Sequence, residues 1–155
     1  KKAYKTAAQV NYVARTGNFL KKGFAYDASL KVLKTILSYD FLWNNVRVMG
    51  GAYGCMNDFS VNGRGYFVSY RDPNCGKTNE TYEKIADYVR NFDASEREMT
   101  KYVIGTFSEL DIPMSCSTKG IRSFTSYMCG ITEELLKKNR LKALETRAED
   151  IRNLA

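Results

Sequence analysis

The sequence predicts an α+β fold, a two-layer domain in which a mainly antiparallel sheet packs against helices. Two observations lead to this. Three short segments repeat with the period of strands, two of them flanking the hairpin signal Asn62-Gly63. Most of the remaining chain repeats its apolar residues at three and four positions, the period of helices.

Taken in order, TAAQVNYVAR (residues 6–15) sets Val10, Tyr12 and Ala14 against Asn11 and Val13, the alternation of a strand. RTGNFLKKG should break it, with Gly17 and Gly23 as punctuation. A long helix opens at Asp27, its N-cap. Leu30, Leu33, Ile36, Leu37 and Phe41 form one stripe, widened by Val32, and the helix is expected to run to about Asn45, before Gly50-Gly51. So much of its surface is apolar that it should lie beneath other elements.

AYGCMNDFSV and GRGYFVSYRD then read as two strands joined through SVNGRG and closed by Asp72-Pro73-Asn74. TNETYEKIADYVRNF puts Tyr82, Ile85, Ala86, Val89 and Phe92 on one helical face. Ser95-x-x-Glu98 is a capping box before a helix carrying Met99, Tyr102, Val103, Phe107 and Leu110, which Asp111-Ile112-Pro113 stops. Ile121, Phe124 and Met128 mark another helix up to Gly130, and TEELLKKNRLKAL a further one. Thr146-x-x-Glu149 is a second capping box, opening a last helix that the end of the chain cuts short.

Length and composition bound the function. The 155 residues make one domain, here residues 1–155, and 44% hydrophobic with 26% charged residues is globular. The leading Lys1 and the cut final helix read as a piece of a longer polypeptide. No apolar run approaches membrane-spanning length, so no membrane partner is expected. The net charge of +7 favours anionic partners, but the basic residues are scattered in short pairs such as Lys21-Lys22 and Lys137-Lys138. With no helix-turn-helix, zinc-finger or RNP-like pattern, that charge reads as a solvated surface, and no nucleic acid is expected.

The chain has no histidine, and its four cysteines, Cys55, Cys75, Cys116 and Cys129, form no Cys-x-x-Cys pair. A zinc site within the chain and a Cys–His nucleophile are both excluded. The thiols read as reduced and structural.

One stretch suggests chemistry. Arg47 lies in the last turn of the long helix and Tyr53 opens the next strand, with Gly50-Gly51 between them. Arg47 there complements the helix's terminal carbonyls, and Tyr53 packs on the sheet. A tight turn would also let a guanidinium and a phenol converge on one oxygen, which suits an oxyanion rather than proton abstraction.

The run LSYDFLWNNVRVMGGAYGCMNDFSVNGRGYFVSYRDPN resembles the C-terminal half of the pitrilysin/insulysin-type zinc metallopeptidases (the insulinase family), most closely the presequence-protease branch. The likeness extends through QVNYVARTGNF upstream and YEKIADYVRNF downstream, and weakly to AEDIRNLA. Its specific part is Arg-x-x-Gly-Gly-Ala-Tyr-Gly, Arg47 to Gly54. The resemblance implies a LuxS/MPP-like domain from one half of a clamshell that closes around short unstructured peptides. It implies Zn²⁺ held by a His-x-x-Glu-His motif in the other, N-terminal half. Arg47 and Tyr53 would then bind the scissile carbonyl, positioned by Gly50 and Gly51. The implied partners are that zinc-bearing half, a sister domain and peptide substrates. The implied location is the bacterial cytoplasm, or the mitochondrial or plastid matrix. The fragment alone should be inactive. A second expectation is a non-catalytic homologue that reuses the fold for assembly, against which the retention of both Arg47 and Tyr53 argues.

Overall fold

In a computed structural model, which describes residues 2–5, 7 and 9–155, the chain divides into two compact units. The first takes the residues up to Tyr26 together with Ile36–Val89, and the second Asp27–Thr35 together with Arg90–Ala155. The expected α+β class holds: strands form one antiparallel sheet, and helices make up most of the rest.

In the first unit β1 (Asn11–Asn18), β2 (Gly54–Phe59) and β3 (Arg64–Asp72) form a sheet ordered β1-β3-β2. The register pairs Val13 with Ser69 and Cys55 with Ser69, and Arg15 and Asn57 both with Phe67, so these residues share one face. That face is covered. Asn57 Nδ2 donates to Ser38 Oγ at 2.9 Å, and the Phe67 ring lies 5.7 Å from that of Tyr82. The opposite face leaves Tyr12 and Met56 exposed.

The first strand differs from the expected one. Gly17 does not break it; pairing continues through Gly17↔Gly65 to Asn18↔Arg64, because a ladder of backbone bonds needs no side chain. Thr6 and Ala8 of the expected strand lie outside the described residues. The hairpin forms where Asn62-Gly63 places it, with Gly63 N–H donating to Ser60 O and Ser60 N–H to Arg64 O, both at 2.9 Å.

The long helix begins as α1 (Ser29–Ile36) and widens into π-helical turns over Leu37–Phe41 and Trp43–Val48. It therefore runs past the expected end at Asn45. Met49 N–H bonds Asn44 O, five residues back, at 2.9 Å. The wider turn moves the apolar stripe, and Leu37, Leu42 and Val46 are buried at five- and four-residue steps. The single helix expected around Tyr82 is two, α2 (Cys75–Glu83) and α3 (Ile85–Arg90). A break at Lys84 separates them; Tyr82, Ile85 and Val89 are buried while Ala86 faces solvent.

In the second unit Asp27 caps α1, its Oδ1 accepting Ser29 N–H at 2.7 Å. Val32 and Leu33 are buried, as are Phe92, Met99, Val103, Ala143 and Ile151. α4 (Glu96–Leu110) opens on the expected capping box. Ser95 Oγ accepts Glu98 N–H at 3.3 Å, and Glu98 Oε2 accepts Ser95 N–H at 2.8 Å. α5 (Cys116–Met128) contributes no buried residue, and Ile121, Phe124 and Met128 are exposed. α6 (Glu133–Leu144) and α7 (Ala148–Arg152) follow.

The second capping box is displaced by one residue. The cap is Arg147, whose N–H donates to Asp150 Oδ2 at 2.9 Å. Thr146 is instead buried, its hydroxyl within hydrogen-bond reach of Ser29 Oγ and Lys142 O. Its side chain is engaged with these partners, and the cap position falls to Arg147. Among the described residues no helix is long and apolar enough to cross a membrane.

Candidate functional site

The site is built on the turn that ends the π-helical segment. Gly50 is buried, and a Cβ there would lie 2.4 Å from Val46 O, so the backbone approaches the helix end more closely than any side chain permits. Gly51 takes a φ of +74°, the left-handed region that glycine occupies without strain. Gly51 N–H donates to Arg47 O at 2.9 Å and Ala52 N–H to Val46 O at 3.1 Å, folding the chain back on the helix. Tyr53 N–H then donates to Arg71 O at 3.3 Å, and β2 starts at the next residue.

Each of the two side chains on this turn is held by its own partners. The Arg47 guanidinium lies 4.0 Å from the centroid of the Trp43 ring, one helical turn earlier, and forms no ion pair among the described residues. Its charge also reaches Cys55, whose thiol is raised above its ordinary value because burial outweighs the opposing pull of Arg47. Tyr53 is 60% exposed. Its ring meets Tyr70 edge-on at 5.4 Å, and the Arg71 guanidinium stands 5.5 Å from its centroid. No hydrogen bond joins Arg47 to Tyr53 among the described residues. The turn brings their backbones together and leaves both polar ends open.

Sequence reasoning missed the support beneath this turn. Asp72 is fully buried, and its Oδ2 accepts from Ser69 Oγ at 2.5 Å and Thr78 Oγ1 at 2.7 Å. Its Oδ1 accepts Asn74 N–H at 2.8 Å. Asn74 Nδ2 in turn donates to Gly50 O at 2.7 Å, tying the turn after β3 to the turn before β2. Asp72-Pro73-Asn74 is legible as a turn; that it clamps a second turn is not.

The chemistry on offer is donation. Arg47, Arg71 and the exposed Tyr53 phenol present N–H and O–H groups, and the buried Asp72 carboxylate beneath the turn already accepts three hydrogen bonds. Tyr82 is no substitute for Tyr53: burial first of all pushes its phenol up to about 12, and its hydroxyl points at Val13 O. Among the described residues no group of three or more histidine, cysteine, aspartate or glutamate side chains could hold a metal ion. Fold and site together define an α+β domain that presents hydrogen-bond donors and cations on a glycine turn.

Comparison with known proteins gives this domain a family. The model described as PreP C-terminal domain matches residues 1–155. The chain is 44% identical over 150 residues to Protein HypA of Clostridium perfringens, covering 97% of this chain and 15% of the relative. It is 37% identical over 148 residues to presequence protease 1, chloroplastic/mitochondrial, of Arabidopsis thaliana, covering 95% and 14%. It is 31% identical over 144 residues to the mitochondrial presequence protease of Xenopus tropicalis, covering 93% and 14%. The chain belongs to the PreP C-terminal domain family, and it spans only about one seventh of the length of these relatives.

Proposed function

We propose that the chain is the zinc-free C-terminal domain of a zinc metalloendopeptidase that degrades short unstructured peptides in a closed chamber. In this reading Arg47 and Tyr53 hydrogen-bond the scissile carbonyl and stabilise the negative charge that develops on its oxygen. The observation that carries it is the Gly50-Gly51 turn, which sets a guanidinium with no ion pair among the described residues and an exposed phenol at adjoining element ends. The relatives named as presequence proteases support the reaction class.

Zinc polarises the carbonyl and activates water in such enzymes. The side chains here do not fit it, for want of any cluster of ligands among the described residues, so the metal is assigned to the N-terminal half of the parent polypeptide. This chain's part is to bind and orient. Alone it hydrolyses nothing. Its partners are the zinc-bearing half, a sister domain and the peptide substrate. Relatives named from a clostridial bacterium and from mitochondria or chloroplasts support a bacterial cytoplasmic or an organellar matrix location.

The test uses the full-length polypeptide and a fluorogenic peptide. Tyr53→Phe keeps the ring and removes only the hydroxyl, and should lower kcat by about 10²–10³. Arg47→Lys keeps the charge, loses the planar fork and should also be impaired. Loss of a transition-state contact lowers kcat and kcat/KM together. A Tyr53→Phe enzyme within about twofold of wild type would return Tyr53 to a packing role.

A further inference from the structure

Arg71, the last residue but one of β3, has a φ of +49° and is the one non-glycine residue with positive φ among those described. An arginine there is strained, and such strain persists only where the surroundings over-determine it. They do so here. Tyr53 N–H donates to the Arg71 carbonyl, and the next residue, Asp72, is locked by Ser69, Thr78 and Asn74. The Asp72 carbonyl also accepts Asn11 Nδ2 at 2.9 Å.

The left-handed residue has a consequence for the side chain. The Arg71 guanidinium stands over Tyr53 at 5.5 Å, while Tyr70 meets the same ring edge-on at 5.4 Å. Arg71 is exposed and forms no ion pair among the described residues, so its charge is not consumed by a carboxylate. An ordinary strand-end arginine would extend into water from relaxed backbone.

We propose that Arg71 is a positioning residue for Tyr53. It fixes the ring between itself and Tyr70, and so holds the phenol hydroxyl in one place. This rests on the reading of Tyr53 as a carbonyl donor.

The test compares Arg71→Gly and Arg71→Gln, each alone and combined with Tyr53→Phe, in the full-length polypeptide with a fluorogenic peptide. Glycine relieves the left-handed backbone and removes the cation; glutamine removes the charge and keeps most of the stem. Both should lower kcat about tenfold or more with KM nearly unchanged, the cost of a misplaced group. In the Tyr53→Phe background neither should cause further loss, since the hydroxyl they act through is already gone. Arg71→Gly should melt no lower than wild type, which separates the defect from loss of structure.

Wild-type kcat in both Arg71 variants beside an impaired Tyr53→Phe would overturn the inference and leave the site standing. A raised KM with unchanged kcat would make Arg71 a substrate-binding cation instead. An equal loss with and without the Tyr53 hydroxyl would show that Arg71 acts independently. A Tyr53→Phe enzyme as active as wild type would remove the site and the inference together.

Discussion

Asn74 donates to the carbonyl of Gly50 at 2.7 Å, so the turn that follows β3 holds the turn separating Arg47 from Tyr53. The residues are 24 apart in sequence, and the bond joins two loops rather than two strands. Its other anchor is Asp72, which accepts the Asn74 N–H and is itself fully buried. Placement of the candidate site thus depends on side chains from the turn that follows β3.

Asn74→Ala removes that tie and keeps the Asp72 bond to the backbone. The isolated chain should lose about 1 kcal/mol of stability, the usual net worth of one such hydrogen bond. In the full-length polypeptide kcat should fall while KM stays close to wild type. Urea unfolding and steady-state kinetics on the same variant check both; unchanged kcat would mean that the turn holds itself.

Gly50→Ala should cost more. The added Cβ would sit 2.4 Å from Val46 O, which is backbone and cannot rotate away. Crowding of this kind costs about 1–3 kcal/mol. A thermal midpoint equal to wild type would show that the helix end shifts freely.

A pH dependence follows from Lys142 and Asp150 in the second unit. The hydrogen bond from Lys142 is the largest influence holding the Asp150 carboxyl below its ordinary value, and the reciprocal bond raises Lys142. A depressed carboxyl stabilises the fold above its unfolded value, about 3.9, and that contribution fades as pH falls through the lower folded value. The raised ammonium stabilises the fold below its own unfolded value, about 10.4, and its contribution fades as pH climbs through the higher folded one. Lys142→Met should therefore lie below wild type at neutral pH and converge with it in strong acid and in strong alkali. Chemical unfolding midpoints between pH 2 and 11 test this, and a constant gap across that range would contradict it.

Two helix caps should respond differently. Ser95 caps α4, which buries Met99, Val103 and Thr106, so Ser95→Ala should lower global stability by about 1 kcal/mol. Ser115 caps α5, which buries nothing. Ser115→Ala should speed amide exchange along α5 and leave the global midpoint in place, because local opening there exposes no core. A global loss as large as that of Ser95→Ala would show that α5 is coupled to the core after all.

Much of this was legible in short windows of sequence. The Ser95 capping box, the Asn62-Gly63 hairpin and the start of the long helix at Asp27 depend on neighbours within a few residues, and each formed where its pattern placed it. The Arg47 to Gly54 stretch likewise marked the helix–turn–strand that carries the candidate site. What failed was also local reasoning, applied where a distant group intervened. Thr146 had the right spacing for a cap, but Ser29 lies against its hydroxyl from 117 residues away.

The sequence by itself determined where most helices and strands lie and which two side chains flank the glycine turn, because periodicity, capping and turn preference are written into consecutive residues. Only the tertiary structure decided the left-handed backbone of Arg71 and the Asp72–Asn74–Gly50 clamp. Each needs a partner brought in by the fold or a strain that the fold holds in place. No stretch of adjacent residues records such a balance.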